Sequence, residues 1–223
     1  YFLVLIGVVL SLIASAKVNG TFNRFSKVKN SRGLTGAQVA EQVLHGAGIF
    51  DVRIEHVHGN LSDHYDPRSK VLRLSDSVYN QTSVAAVGVA AHECGHAIQH
   101  AGGYAPLKFR NVLVPVANFG AQIAWPLILV GLLINRESSW YIMMAGILAF
   151  SLAVLFQIVT LPVEFNASGR ALRILEESNL LVDDELRGAR KVLSAAALTY
   201  VAAALTSVLQ LLRLLAIANR DND

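Results

Sequence analysis

The sequence predicts a mainly α-helical membrane protein that crosses the bilayer several times and carries a smaller α+β region with a small antiparallel sheet. Of its 223 residues, 53% are hydrophobic and 16% are charged. The mean hydropathy of +0.45 is too high for an ordinary soluble domain. Four long apolar segments account for the excess, and the polar remainder is too short to bury all four. A bilayer must therefore cover them.

The apolar segments predict the membrane-spanning elements. Segment 1–16 starts without Met, so we expect a transmembrane helix truncated at its N-terminus. Segments 111–134 and 140–161 are each long enough to cross a hydrocarbon core of ~30 Å. The fourth, 192–218, carries no charge until Arg213. A single segment of this kind could be a buried core helix, but four together indicate a membrane protein.

The distribution of basic residues predicts the orientation. Segments 17–110 and 163–191 hold 16 of the 19 Lys and Arg residues, and two crossings separate them, so both emerge on one face. The positive-inside rule assigns that face to the cytoplasm of a bacterial cell, with the protein multi-pass in the plasma membrane. An alternative is that Ala14-Ser15-Ala16 is a signal-peptide cleavage site, which would export the polar region.

The polar region shows helix and strand signals. Thr35 is a typical N-cap for a helix that Gly46 and Gly48 would end. Residues 52–57 and 70–74 alternate apolar and polar side chains, as half-buried strands do. Because 65–69 contains Pro at the second position of a turn, we expect the two strands to pair in an antiparallel sheet.

The most informative motif is His92-Glu93-Cys94-Gly95-His96. It lies in an apolar segment that predicts a buried helix over 84–100, capped by Ser83 and stopped by Gly102-Gly103. Residues four apart share one helix face, so His92 and His96 can supply two zinc ligands, and Glu93 can accept a proton from the metal-bound water. Chance occurrences fall mostly on exposed helices with solvated histidines. A charged Glu within a buried helix needs a metal or a partner.

A catalytic zinc usually has three protein ligands. The spacing excludes a metzincin, which would need Gly and His where this chain has Gln99 and Gly102. His100 continues the face of His92 and His96 but lies one turn further away, so we expect it to make a hydrogen bond near the helix end. Glu164 is the better candidate, since it follows Pro162 at the predicted start of helix 163–177, where the chain re-emerges on the face of the His pair.

The chain resembles the YugP-type neutral zinc metallopeptidases, a family of bacterial membrane-bound zinc proteases, over essentially its whole length. The stretches that carry the resemblance are Thr35-Gly36-Ala37, 63–70, 90–97, 161–165 and 197–202. The resemblance implies a zincin-like catalytic region and a gluzincin-like site that binds one Zn²⁺ per chain. In that site His92, His96 and Glu164 are the ligands and Glu93 is the catalytic base.

Two positions depart from the family pattern. An Asp is usual where this chain has Asn166, and an Arg is usual where it has Gly169. If the Asp supports a ligating His, its loss would weaken metal binding or lower activity. The predicted ligands themselves are intact.

These observations predict five segments. They are a truncated transmembrane helix (1–16), the zincin-like catalytic region (17–110), a transmembrane hairpin (111–161), the third-ligand helix with its connector (162–190), and a transmembrane helix with its tail (191–223). The last long helix is expected to begin at Asp183 or Asp184.

The predicted function is a membrane zinc endopeptidase that acts on polypeptides, which can include membrane proteins. Residues 70–74 are a candidate edge strand for holding an extended peptide. The candidate oxyanion donors are His56, His58, His64, Tyr65 and Tyr200, although His64 and Tyr65 suit ordering of the turn around Asp66-Pro67 better. The partners are the lipid bilayer and a polypeptide substrate, no basic-aromatic pattern indicates nucleic acid, and the oligomeric state stays open.

Two other functions fit the same residues. One is a zinc-dependent membrane hydrolase of a non-peptide amide or ester. The other is a non-catalytic membrane scaffold that retains a zinc site, which Asn166 and Gly169 give some support. An intramembrane protease is disfavoured, because the motif follows a polar stretch and no predicted span contains an acid.

Overall fold

The computed structural model describes residues 2–134 and 139–220. Within them the chain forms six helices and one three-stranded sheet. In chain order the elements are α1 (Phe2–Phe25), α2 (Gly36–Gly46), β1 (Arg53–Val57), β2 (His64–Asp66), β3 (Val71–Ser75), α3 (Val84–Ala101), α4 (Ala105–Leu133), α5 (Ser139–Glu177) and α6 (Asp183–Arg220).

Four of the described helices, α1, α4, α5 and α6, are long and apolar enough to cross a membrane. Large apolar side chains point outward from them; Leu12, Val112 and Leu148 are each more than 60% exposed. Such surfaces require lipid, because water would make them costly. The prediction of a mainly α-helical membrane protein is confirmed.

The four long apolar helices pack as two close pairs. In the α4–α5 pair, a Cβ at Gly146 would lie 2.9 Å from the carbonyl oxygen of Ala124. In the α1–α6 pair, the Thr206 hydroxyl donates to the carbonyl of Gly7 at 3.2 Å. Small residues at these contacts let the backbones approach, which is how helices associate in lipid.

The predicted break at Pro162, between the apolar segment 140–161 and a new helix 163–177, was wrong. Helix α5 continues through Pro162 from Ser139 to Glu177. Proline removes one backbone donor, but membrane helices tolerate it where neighbouring helices and hydroxyl side chains surround the site. Here Thr160 and Val163, on either side of Leu161 and Pro162, are both buried in the protein. The apolar segment 140–161 and the segment that carries Glu164 therefore belong to one continuous helix.

The sheet is mixed rather than antiparallel, which corrects the prediction for 52–57 and 70–74. A four-residue turn connects strand β2 to β3. The two strands pair antiparallel, with His64 opposite Arg73. The Asp66 carboxylate orders that turn by accepting from the backbone of Arg68 and the hydroxyl of Ser69. Because β2 occupies one edge of β3, β1 joins the other edge, and it runs parallel.

Strand β3 is the central strand of the order β1-β3-β2. Its backbone pairs on both sides, so the prediction that 70–74 offers a free edge was wrong. Edge position belongs to β1 and β2 instead. Val71, Leu72 and Leu74 of β3 are fully buried in the core, which explains why a central strand showed a strong apolar pattern.

Helix α3 lies at the centre of the polar region. It packs against α2, the sheet, α5 and the start of α6, and its apolar side chains form the middle of the largest buried cluster. The predicted caps are confirmed: Thr35 makes a capping box with Gln38, and the Ser83 hydroxyl accepts from the backbone N–H of Ala86. The predicted end of α3 at Gly102 and the predicted start of α6 at Asp183 are confirmed as well.

Candidate metal centre

The two histidines of the motif lie on one face of α3, as their spacing predicts. Their ring centroids are 4.8 Å apart and the rings meet edge to face. Both side chains are nearly buried, with 13% of His92 and 12% of His96 exposed. The helix therefore presents two imidazoles toward the same point.

Helix α5 brings Glu164 to this point because α3 and α5 approach very closely. A Cβ at Gly95, between the two histidines, would lie 2.5 Å from the carbonyl oxygen of Ala167. Real Cβ atoms essentially never come so near another heavy atom. Only glycine fits at this crossing, and its absent side chain sets the distance between the His pair and Glu164.

The carboxylate of Glu164 completes a group of three ligands. Its Oε2 atom lies 3.3 Å from Nε2 of His92 and 3.4 Å from Nε2 of His96. Although Glu164 is 3% exposed, Oε2 has no hydrogen-bond partner among the described residues. A buried carboxylate oxygen left without a donor is costly unless a cation lies beside it.

The spacing of these atoms suits a metal ion. Metal–ligand bonds of about 2.0–2.1 Å in a tetrahedron place neighbouring ligand atoms about 3.3–3.4 Å apart, which matches both distances to Oε2. The ligand atoms of His92, His96 and Glu164 all lie within 4.8 Å of one another. The residues present therefore fit a bound metal ion.

Hydrogen bonds at the far side of each ring leave Nε2 free. Nδ1 of His96 lies 3.1 Å from Oε1 of Gln99, and Nδ1 of His92 lies 3.0 Å from the hydroxyl of Ser168. The amide nitrogen of Gln99 donates to the carbonyl of Val163 at 2.8 Å, so its oxygen must face His96 and accept. His96 then carries its proton on Nδ1 and exposes an Nε2 lone pair, as a metal ligand requires.

Asn166 takes part in the same network. Its Oδ1 accepts from the amide of Gln99 at 3.0 Å and from Nε of Arg170 at 2.7 Å. The residue therefore supports His96 through Gln99 rather than by direct contact. At Gly169, an added Cβ would meet no atom within 4 Å.

A cavity of about 280 Å³ opens onto this group. Glu93, His96 and Glu164 line it, and Glu93 is 8% exposed. Burial acts to lower the pKa of His96, but the carboxylates of Glu164 and Glu93 outweigh it, so the pKa is raised. The negative field that favours a proton here also favours a metal cation.

Arg110 enters the cavity from α4. Its Nη2 lies 3.8 Å from Oε1 of Glu164, the oxygen that does not face the histidines. Its Nε is buried without a hydrogen-bond partner in the described part of the chain. The Arg110 side chain is 27% exposed beside the candidate metal ligands, so its guanidinium can bind a polar group of an incoming molecule.

The other predicted residues separate into two groups. His64, Tyr65 and Tyr200 border the cavity, whereas His56 bonds to Asp76 at 2.7 Å outside it and His58 is exposed beside the same carboxylate. The prediction that His100 makes a hydrogen bond near the helix end is confirmed. Its Nδ1 lies 2.9 Å from the hydroxyl of Tyr65, a phenol whose pKa burial raises to about 12.

Sequence reasoning missed three polar residues at the site. Gln99 and Ser168 hold the imidazoles, and Arg110 contacts Glu164. Gln99 carried a signal, because it lies three residues after His96 and seven after His92, on the face of the His pair. Ser168 and Arg110 carried none, since only the packing of α3 against α5 and α4 brings them near.

Comparisons with known proteins identify the family of the chain. The model of a family described as "Putative neutral zinc metallopeptidase" matches residues 1–219. The "Putative membrane protease YugP" of Bacillus subtilis (strain 168) is 47% identical over 222 residues, which cover 100% of this chain and 97% of the relative. No solved structure matches the chain. The chain therefore belongs to the neutral zinc metallopeptidase family.

Proposed function

We propose that this protein is a membrane zinc endopeptidase with one zinc ion per chain. His92, His96 and Glu164 would hold the zinc, and Glu93 would act as the general base. The observation that carries the proposal is the buried, unpartnered Oε2 of Glu164, 3.3 Å and 3.4 Å from the two Nε2 atoms. A cation at their common point would give this oxygen the partner that it lacks.

Bound there, zinc would polarise a substrate carbonyl and lower the pKa of its water ligand to about 7. The residues of the chain handle the protons. Glu93 follows His92 directly on α3 and lines the cavity, so its carboxylate can take a proton from the attacking water and pass it to the leaving amine. Gln99 keeps His96 in the tautomer that binds a metal, and the Ser168 hydroxyl holds the ring of His92 in place.

The position of the site favours substrates at the membrane surface. Glu164 lies three residues beyond 140–161 on the same continuous helix, so it is about 4–5 Å past the end of that apolar segment. The cavity is also lined by Leu107, Asn111 and Val114, at the start of the α4 span. Segments of membrane proteins that emerge from the bilayer would reach this cavity directly.

An extended peptide has a candidate strand to pair with. β2 is an edge strand, and its residues His64 and Tyr65 border the cavity. Backbone pairing with such an edge is a common way to hold a peptide without strong sequence preference. The side of the membrane follows from charge, since 17–110 and 163–191 carry 16 of 19 Lys and Arg residues. We therefore place the catalytic face in the bacterial cytoplasm.

The test combines metal content with peptidase activity. The parent protein, purified in detergent, is expected to contain about one zinc per chain, and Glu164→Ala and His92→Ala are expected to lose it. Glu93→Gln is expected to keep the zinc but to cleave fluorescein-labelled casein at least about 100-fold more slowly, because a general base is lost.

Each contrary result has a distinct meaning. Zinc retained in Glu164→Ala would remove Glu164 from the ligand set. Zinc in the parent without any cleavage of casein would favour the scaffold or a hydrolase of non-peptide bonds. A parent without zinc after purification in zinc-containing buffer would overturn the proposal.

A further inference from the structure

A second cavity lies apart from the metal centre, between α1 and α6. It has a volume of about 390 Å³. Its polar lining consists of four cations and two hydroxyl groups, from Lys17, Arg24, Arg190, Lys191, Thr21 and Ser194. We propose that this cavity binds the headgroup of an anionic phospholipid.

The four cations lie close together because the boundary between charged and apolar sequence falls at the same depth on α1 and on α6. Lys17 is the first charged residue after the apolar segment 1–16, and Lys191 is the last before the uncharged segment 192–212. Helices α1 and α6 pack antiparallel, with Gly7 against Thr206 near one end and Phe25 against Gly188 near the other. The two boundaries between polar and apolar chain therefore lie side by side.

The spacing on each helix directs these side chains to one face. On α1, residue 21 lies four positions after residue 17 and three positions before residue 24, so all three lie on one side of that helix. On α6, Ser194 and Leu198 continue the face of Arg190 at intervals of four. The cavity is thus framed by two facing helix surfaces.

The positive charge of the cavity is not compensated by the protein. No acidic side chain of the described residues lines it. Within the same described part of the chain, Lys17, Arg190 and Lys191 have no ion pair, and Arg24 contacts only the ring of Phe25, at 5.5 Å. Four cations around one cavity repel each other, and an anion would turn this repulsion into attraction.

The apolar part of the lining points to a lipid rather than to a free anion. Leu198 and Ala195 continue the cavity along α6 into its uncharged segment, and Leu198 is 38% exposed. A phospholipid offers an anionic headgroup to the cations and acyl chains to these side chains. Basic pockets between membrane helices at the polar boundary are known to recognise anionic headgroups.

Binding here would also hold the fold together. Phe22 of α1 and Val192 of α6 are neighbours of the lining residues, and both pack on the fully buried Ala85 of α3. A headgroup that bridges the cations of α1 and α6 would reinforce this three-helix contact. The bound lipid should therefore raise the thermal stability of the protein.

The experiment measures lipid binding to the full chain in neutral detergent. Native mass spectrometry gives the affinities for phosphatidylglycerol and for phosphatidylcholine with the same acyl chains, and a thermal melt gives their effects on stability. Arg190→Gln/Lys191→Gln removes two charges from the cavity. The matched control, Lys27→Gln/Lys29→Gln, removes two charges from the segment just after α1, outside the cavity.

We expect phosphatidylglycerol to bind more tightly than phosphatidylcholine and to raise the melting temperature. Each basic residue near an anionic surface is worth about a fivefold change in affinity, so the cavity variant should lose about 30-fold and the control less than about threefold. Equal losses in both variants would mean diffuse attraction and overturn the proposal. Equal binding of the two lipids would overturn it too. Full displacement of phosphatidylglycerol by inorganic phosphate at the same concentration would also overturn it, because it would indicate a site for free anions.

Discussion

Gln99 lies one turn after His96 on α3, and its amide oxygen is 3.1 Å from Nδ1 of that histidine. The direction of the amide is fixed, because its nitrogen already donates to the carbonyl of Val163 and to Asn166. One side chain therefore joins the two helices that carry the candidate ligands. It also determines which nitrogen of His96 faces Glu164.

The first prediction concerns this contact. Gln99→Met keeps the volume of the side chain but removes the acceptor for His96, so the ring can rotate or change tautomer. Loss of such support typically lowers metal affinity by about 10–100-fold, and we expect this range for zinc. A competition titration with a chelator on the purified protein measures it.

The control is Gln81→Met, since Gln81 is an exposed glutamine whose amide contacts the carbonyl of Asp76, away from the site. It should bind zinc as the parent does. If Gln99→Met also binds zinc like the parent, Gln99 has no role in positioning His96.

A second prediction addresses Asn166. Both of its contacts at the site use the side-chain oxygen, which accepts from Gln99 and from Arg170. Because an aspartate offers the same oxygen, Asn166→Asp should change the zinc affinity by less than about threefold, whereas Asn166→Leu should lower it by about 10-fold or more. The same chelator titration compares the three proteins. A large gain of affinity in Asn166→Asp would instead identify Asn166 as a defect in a degenerate site.

The candidate ligands could be predicted from the sequence because each has a local signature. His92 and His96 are four residues apart in an apolar helix, and Glu164 is an isolated acid in a helical context. The four long apolar helices were predictable for a similar reason, since a helix that crosses lipid needs a long uninterrupted apolar segment.

What could not be predicted depends on contacts between distant segments. The parallel pairing of β1 with β3 arises because β2 takes the nearer edge, which no local pattern encodes. Helix α5 continues through Pro162, although proline in a sequence predicts a helix boundary. Ser168 and Arg110 gain their roles only from helix packing, so their residue types gave no signal.

A third prediction tests the close crossing of α3 and α5. In Gly95→Ala, the new Cβ would meet the carbonyl oxygen of Ala167 at 2.5 Å, so the helices must separate. We expect zinc affinity to fall by at least about 10-fold, because metal sites are sensitive to shifts of a fraction of an ångström. Zinc content after dialysis against a weak chelator would report the loss.

The matched control is Gly169→Ala on the facing helix. A Cβ there meets nothing within 4 Å, so it makes the same chemical change without a clash and should keep its zinc. Equal zinc content in the two variants would show that the distance between α3 and α5 does not control the metal site.

The last prediction concerns orientation in the membrane, and the single cysteine makes it easy to test. Cys94 is fully buried, its thiol contacts the carbonyl of Ala40 at 3.6 Å, and burial raises its pKa well above the usual range. Only the thiolate reacts readily with maleimides, so the parent protein should stay unlabelled until it is denatured. Labelling of the native parent would contradict this burial.

In a Cys94→Ala background, new cysteines then report the two faces. Arg53→Cys lies on β1 in the polar region, with a side chain 72% exposed, and Leu133→Cys lies 83% exposed at the far end of the α4 span. If the basic face is cytoplasmic, a membrane-impermeant maleimide should label Leu133→Cys in intact cells and Arg53→Cys only after permeabilisation. The reverse pattern would place the metal centre outside the cell. It would mean that the basic residues after segment 1–16 do not keep that face in the cytoplasm, and it would agree with a signal peptide cleaved after Ala16.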